Sequence, residues 1–350
     1  MRKVFVGLSG GVDSAVSAAL LKEGGHDVVG AFIKIWQPEF IECTWREDRL
    51  DAMRVAAALG IPFREIDLSQ EYKKEVVDTM VADYKRGITP NPDVLCNRSI
   101  KFGHFLRWAL AEGADYIATG HYANIQYERL TKSFILKRGI DATKDQSYFL
   151  YQLEQNDLSH TLFPVGEFTK SQVRAQARRF GLPVATKPDS QGLCFVGDVS
   201  MRDFLARFIE VEPGAVVDID GKEIGQHEGA ALYTIGQRHG FTVRGSSTGH
   251  APYFVTAIDV SRNLVKVSHE RADATRKEVT IENMHWVGRT PSMPFPANVQ
   301  ARYRETPVGA NVKGTGASVV VNFSQPHIAA PGQSLVIYDE EHCLGGGAIQ

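Results

Sequence analysis

Val4-Phe5-Val6-Gly7-Leu8-Ser9-Gly10-Gly11-Val12-Asp13-Ser14 is the stretch that decides how this chain begins. An apolar run passes into a polar turn with two consecutive glycines, and a helical pattern from Ala15 to Leu21 follows at once. A strand, a glycine turn and a helix N-terminus in that order build an anion site. The first helical N–H groups lack partners within the helix, and the macrodipole adds partial positive charge where they point. Gly10 and Gly11 can both take positive φ at little steric cost, so successive amides can converge on a phosphate. Ser9 and Ser14 add hydroxyls, and Asp13 adds a carboxylate suited to Mg2+. The expected nucleotide-phosphate contacts are therefore Gly7, Leu8, Ser9, Gly10, Gly11, Val12, Asp13 and Ser14. The turn lacks the Lys-Ser/Thr ending of the common phosphate-transferring loop.

Outward from the turn, strand and helix patterns alternate. Apolar strands are predicted over 27–35, 63–68 and 115–119, and helices over 47–59, 70–85 and 97–112. Phe102, Phe105, Leu106, Ala109 and Leu110 share a face of the last helix, and Gly113 ends it. This is the pattern of an α/β fold, a doubly wound parallel sheet with helices on both faces. Ligands of such sheets sit at the carboxyl ends of the strands. The 9–14 turn and Thr119-Gly120-His121 are thus expected to face one crevice, with Gly120 beside the nucleotide.

With 350 residues and 43% hydrophobic content, the chain is long enough for two or three cored domains. The boundaries read as 1–200 for the nucleotide domain, 201–270 for a small mixed central domain and 271–350 for a C-terminal antiparallel β-barrel of short strands spaced by Pro and Gly. There is no run of 18 apolar residues, and the first strand starts too near Met1 for a signal segment, so a cytoplasmic protein with no membrane partner is expected. The net charge of −2 excludes nucleic-acid binding by bulk electrostatics alone, although not by a local basic face.

Cys43, Cys96, Cys194 and Cys343 are scattered and form no CxxC pair, which speaks against a zinc site or a secreted disulfide framework. Thr89-Pro90-Asn91-Pro92-Asp93-Val94-Leu95-Cys96 opens a helix. Its prolines stiffen the approach, Asp93 is placed to cap it, and Cys96 falls in the first turn, where the dipole favours thiolate. Pattern alone leaves Cys96 either a reactive thiol or a small core residue, and Asp93 either a cap or an acid/base group. Cys194, in a polar loop entering an apolar strand, carries the same ambiguity. Cys43 and Cys343 read as bystanders.

The turn resembles the Ser-Gly-Gly-x-Asp-Ser signature of ATP pyrophosphatases. Over nearly its whole length the chain resembles the tRNA-specific 2-thiouridylases. The resemblance rests on Gly7 to Ser14, Asn91-Pro92-Asp93, Cys96-Asn97, Ile100-Lys101-Phe102, Thr119 to Ala123, Lys144 to Ser147, Ser190 to Phe195, Tyr233-Thr234-Ile235-Gly236-Gln237-Arg238, Arg302-Tyr303-Arg304 and Pro331-Gly332-Gln333. One departure is Ile33, where the family often has Met beside adenine; an apolar swap of similar volume is tolerable.

The resemblance implies ATP and Mg2+ as cofactors, with AMP transferred from ATP to the C2 oxygen of a wobble uridine. It implies Cys194 as persulfide carrier, Cys96 as the nucleophile that resolves it through a transient Cys96–Cys194 disulfide, and Asp93 as general acid/base. Asn91, Pro92 and Asp93 would face the flipped target base. Further tRNA contacts would come from His121, Lys144, Asp145, Gln146, Arg302, Tyr303 and Gln333. For Lys144 and Arg302 the plain alternative is a solvated surface charge. The implied partners are tRNAs for Lys, Glu and Gln and a persulfide relay protein. Competing readings are an amidating synthetase, which has no use for two reactive cysteines, a 4-thiouridine synthase, which normally carries an RNA-binding domain first, and a non-enzymatic RNA-binding protein.

Overall fold

The structure, a computed structural model, describes residues 1–40, 45–189, 199–244, 251–315 and 317–350. Its first sheet is parallel throughout, in the order β3-β2-β1-β4-β7, where β1 is Lys3–Gly7, β2 Asp27–Lys34, β3 Phe63–Asp67, β4 Tyr116–Ala118 and β7 Thr161–Leu162. Side-chain alternation along β1 splits the core into two layers. Val4 and Val6 face α1 (Val12–Glu23), α2 (Trp45–Leu59) and the helix Lys170–Arg179. Phe5 faces the opposite layer, built from the helical runs 69–85 and 92–111. The doubly wound sheet expected from the sequence is what forms, because the inner strands β1 and β2 are apolar on both faces and need helices on both.

Both long helices of the second layer widen into π-type turns, over Lys73–Asp78 and Cys96–Phe105. The second of these runs starts earlier than expected. Asn91, not Asp93, is its N-cap: the Asn91 side chain accepts from the Val94 amide at 3.4 Å, and Pro92 takes the first helical position, where its missing N–H costs nothing. Asp93 is therefore released from capping, and Cys96 stands just past the first turn.

Between β4 and β7 the chain makes an antiparallel hairpin that the sequence reading did not separate, β5 (Ala123–Glu128) and β6 (Ser133–Arg138). It does not join the parallel sheet. Instead β6 pairs with the last strand, His342–Ala348, at the edge of the C-terminal antiparallel sheet. That sheet also holds Arg276–Ile281, Phe295–Gln300, Val308–Thr315, Ser318–His327 and Ser334–Asp339. The strand Phe295–Gln300 stops short of Arg302-Tyr303-Arg304, where the chain turns with Arg304 at φ +64°. Val308–Thr315 and the glycine-rich last strand were not legible, since Gly309, Gly314 and Gly345 to Gly347 dilute the alternation. The central sheet mixes antiparallel pairs with one parallel pair between Gly214–Val217 and Leu264–Ser268. Among the described residues no helix is long and apolar enough to cross a membrane.

Candidate active site

The phosphate turn closes on itself through its hydroxyls. Ser9 Oγ and Ser14 Oγ share a hydrogen bond of 3.2 Å, the Ser9 amide donates to Ser14 Oγ, and Ser14 Oγ donates to the Gly11 carbonyl at 3.1 Å. Only one of the two glycines needs its freedom. Gly10 lies at φ +74°, where a Cβ would strike the Asp48 carbonyl, whereas Gly11 is the extended N-cap of α1 at φ −96°. Leu8 and Val12 are buried and anchor the turn from either end; Gly7 closes β1 near Ile33, which stands on the carboxyl half of β2.

The segment 119–122 leaves the carboxyl end of β4 and touches both halves of the site. A Cβ on Gly120 would lie 2.6 Å from the Ser14 amide nitrogen and 2.8 Å from the Asp13 carbonyl carbon, so only glycine admits this approach. Gly120→Ala is expected to push the α1 N-terminus away and weaken nucleotide binding about tenfold or more, since a ~1 Å shift undoes amide convergence; calorimetry with ATP checks it, and unchanged affinity would remove the turn from the nucleotide site. Tyr122 donates its hydroxyl to Asp13 Oδ1 at 2.8 Å, and burial together with the Asp13 carboxylate pushes that phenol far up, keeping it a donor. Gln146 holds Tyr122 from both sides, accepting from its amide through Oε1 at 3.0 Å and donating to its carbonyl at 2.8 Å.

Asp13 also receives both hydrogen bonds of Lys170 Nζ, at 2.7 and 2.9 Å. Lys170 reaches on to Asp189 Oδ1 at 2.9 Å, and Lys144 and Arg174 meet the same carboxylate at 2.7 Å each. Burial by itself would raise the Asp189 pKa; the hydrogen bonds from Lys144 and Lys170 outweigh it and hold the carboxyl well below the usual range. Sequence reasoning missed Lys170. It begins a helix behind a Thr169–Gln172 capping box and carries no local mark of its partner.

On the other side of the segment, His121 is buried, shares a hydrogen bond with Thr119 Oγ1 at 2.7 Å, and lies 3.5 Å from Lys101 Nζ. Burial first, then the Lys101 charge, lower its pKa well below the histidine range, so the ring is neutral. Phe102 and Phe163 flank it. His121 is thus a buried residue, not an open surface contact. Lys101 acts on Asp93 as well: burial raises the Asp93 pKa and the Lys101 charge opposes the shift. Asp93, Lys101 and His121 thus converge one segment away from Asp13.

The remaining expected tRNA residues divide. Asp145 is buried and fully engaged, accepting from Arg138 at 2.9 Å, from the Gly139 and Ser147 amides and from the Ser147 hydroxyl, while Arg138 stacks on Tyr338 at 3.6 Å. It fastens the β6 edge to the C-terminal sheet. Gln333 donates to the Thr89 carbonyl at 3.0 Å and braces the loop before Asn91. Tyr303 packs on Phe149 at 4.4 Å, and Arg302 donates to the Ile235 carbonyl at 2.9 Å. Three further basic residues form structural ion pairs: Arg174 serves Asp189, Arg179 pairs with Glu23, and Lys187 pairs with Asp48 and Asp51. Cys96 is buried among Val94, Ile100 and neighbours. Cys343 is buried in the last strand, where burial pushes its thiol far up, as suits a bystander. Cys43 and Cys194 lie outside the described residues.

The chain matches three family models in succession: a tRNA methyl transferase HUP domain over 2–198, a tRNA methyl transferase PRC-barrel domain over 202–269 and an aminomethyltransferase beta-barrel domain over 276–349. It is 44% identical to the tRNA-specific 2-thiouridylase MnmA of Nitrosomonas eutropha over 99% of this chain and 98% of that protein. The chain belongs to the tRNA-specific 2-thiouridylase family. The thiouridylase of Escherichia coli is 43% identical over 100% of this chain and 97% of its own length. The chain is also similar to the U34-tRNA thiolase NcsA of Methanococcus maripaludis at 19% identity, over 59% of this chain and 64% of that one, with a TM-score of 0.36. Family membership accounts for an α/β domain followed by two β domains in one chain.

Proposed function

We propose that this protein is a tRNA-uridine 2-sulfurtransferase that uses ATP to adenylate the C2 oxygen of the wobble uridine and then replaces that oxygen with sulfur. The observation that carries the reading is the 119–122 segment, which abuts the phosphate turn through Gly120 and Tyr122 and reaches the Asp93 side through His121 and Lys101. An activating nucleotide and an acid/base group thereby serve one crevice. The C2 carbonyl is a poor electrophile, and its oxygen leaves badly until it is carried away as AMP. Pyrophosphate, released from the α-phosphate, would be held by the 9–14 amides and Lys170. Asp13 is the residue that would hold Mg2+, by giving up to the ion some of the bonds its oxygens now make to Lys170 and Tyr122, with phosphate oxygens as the other ligands.

Asp93, with its raised pKa, would move the proton at the base, and Asn91 and Pro92 would shape the pocket for the flipped uridine. Sulfur transfer would follow from the cysteines. The terminal sulfur of a Cys194 persulfide bonds to C2 and AMP leaves with the former oxygen; the Cys96 thiolate then attacks Cys194 Sγ, the S–S bond to the transferred sulfur breaks with its electron pair left on the sulfur that stays on C2, and the resulting Cys96–Cys194 disulfide is reduced by two electrons from an external thiol pair before the next cycle. The persulfide would come from a relay protein, and the substrates would be the cytoplasmic tRNAs for Lys, Glu and Gln.

Mass spectrometry of nucleosides from tRNA treated with the protein, ATP, Mg2+ and a persulfide sulfur donor tests this reading. A 2-thiouridine peak is expected, and its absence with folded, ATP-binding protein overturns it. Arg302→Ala is expected to weaken tRNA binding and flatten its salt dependence by about one unit of slope if the guanidinium meets a phosphate. An unchanged slope in a filter-binding titration would leave Arg302 only its bond to the Ile235 carbonyl.

A further inference from the structure

Resting on the sulfurtransferase reading, we infer that the turn Tyr233 to Arg238 of the central domain is a positioning element for the target-base loop, acting through Thr234. The motif is not used by the chemistry described above, yet it stands where all three domains meet. Thr234 Oγ1 shares a hydrogen bond of 2.9 Å with Thr89 Oγ1, two residues before Asn91, and the Thr89 side chain is buried. The next residue, Ile235, accepts from Arg302 of the C-terminal sheet, and a Cβ on Gly236, at φ +83°, would lie 2.8 Å from the same guanidinium. Gln237 fixes the turn, accepting from the Thr234 amide at 3.1 Å, and the central sheet holds it through bonds between Gly236 and Val255 and between Val255 and Gln237.

The C-terminal domain grips the other side of Thr89. Its amide donates to the Pro331 carbonyl at 3.2 Å, its carbonyl accepts from Gln333 at 3.0 Å, and Gly332, at φ +84°, lets the barrel loop approach so closely that a Cβ would stand 2.9 Å from the Thr89 carbonyl. Every polar group of Thr89 is therefore claimed from outside its own domain: the hydroxyl by the central domain, the amide and carbonyl by the barrel. The loop 89–93 has no regular secondary structure of its own until Pro92, so its course is set by these bonds. Among the described residues, the hydroxyl pair of Thr89 and Thr234 is the side-chain hydrogen bond that ties the central domain to the loop carrying Asn91, Pro92 and Asp93. The same turn ties Arg302 to that loop.

Thr234→Val keeps the shape and removes the hydroxyl. It is expected to lower the thiolation kcat about three- to tenfold, the range for one lost hydrogen bond, with KM for tRNA within about twofold and the melting temperature lowered by no more than about 2 °C. Thr234→Ser, which keeps the oxygen, should recover most of the rate. Thr89→Val should match Thr234→Val, and the double variant should fall no further, since both remove the same bond. Deuterium exchange of the peptide spanning 88–95 gives a readout independent of turnover: it should quicken in Thr234→Val and return to the parental pattern in Thr234→Ser. Unchanged exchange at 88–95, additive losses in the double variant, or a loss of kcat that serine does not restore would each overturn the positioning role. If the parent itself makes no 2-thiouridine, the sulfurtransferase reading fails, while the exchange data still decide whether Thr234 orders the loop.

Discussion

Asp93→Asn should leave a folded protein that binds ATP and tRNA but thiolates about 10²–10⁴-fold more slowly, the usual contribution of a positioned acid/base group. The argument begins with release from capping: Asn91 caps the helix, so Asp93 has no structural duty there. It continues with charge. Burial raises the Asp93 pKa above its ordinary 3.8, and Lys101 offsets the shift only in part. For a carboxyl whose folded pKa is raised, the contribution to stability is fully present below the unfolded pKa and is lost as pH climbs through the folded one. At neutral pH the carboxylate therefore costs stability. Asparagine, uncharged and of the same size, should melt at the parental temperature or slightly above it at pH 7, and below it or equal to it near pH 3. Single-turnover thiolation and thermal melting at the two pH values check both halves. A variant that thiolates at the parental rate ends the acid/base assignment, and one that melts well below the parent at pH 7 reassigns Asp93 to structure.

Lys170→Ala is the second large effect, with pyrophosphate release expected to fall about 10²–10³-fold, as when a preorganised charge is removed from a reacting centre. Lys170 stands against both oxygens of Asp13 in the first turn of α1, and its side chain is 15% exposed, so its charge is felt at the phosphate turn with little screening by water. Removing it also strips a partner from Asp189. The Asp189 pKa is depressed, so its contribution to stability is present above its ordinary range and lost as pH falls through the folded value. The variant should therefore lose stability at pH 7 and show a flatter fall toward acid. Affinity for tRNA should hold. A pyrophosphate assay at saturating ATP and tRNA, set beside Asp13→Ala, checks the claim; a normal rate in Lys170→Ala would make the lysine a buttress for Asp13 and Asp189 alone. A normal rate in Asp13→Ala would remove the whole turn from the chemistry.

The fold class was legible because its signals are local. Strand β1 announces itself as a continuous apolar run, which puts Val4 and Val6 on one face and Phe5 on the other, and the turn after it by adjacent glycines. Gly120 could be placed beside the turn because strand-end crevices are a rule of parallel sheets. The hairpin 123–138 was lost for the opposite reason. Its two strands alternate weakly, and what defines them is pairing with His342–Ala348, a strand itself obscured by glycine. The tRNA-facing residues were named from resemblance alone, and in the structure several turn out to spend their side chains inward. Asp145 satisfies four donors, Gln146 holds Tyr122, and Gln333 braces Thr89.

By itself, then, the sequence determined the parallel sheet and the glycine turn that starts α1, and it marked Asp13, Asp93 and Cys96 as candidates, because periodicity, glycine placement and helix-end chemistry act over a few residues. Only the tertiary structure decided which groups those residues meet. Asp13 meets Lys170 across a separation of 157 residues, and Thr89 meets Gln333 across 244. Such pairs leave no trace in local pattern: a lysine at a helix start or a glutamine after a glycine reads the same with or without its partner. The partner is chosen when segments far apart in the chain close on one loop and each buried polar group must find a donor or acceptor.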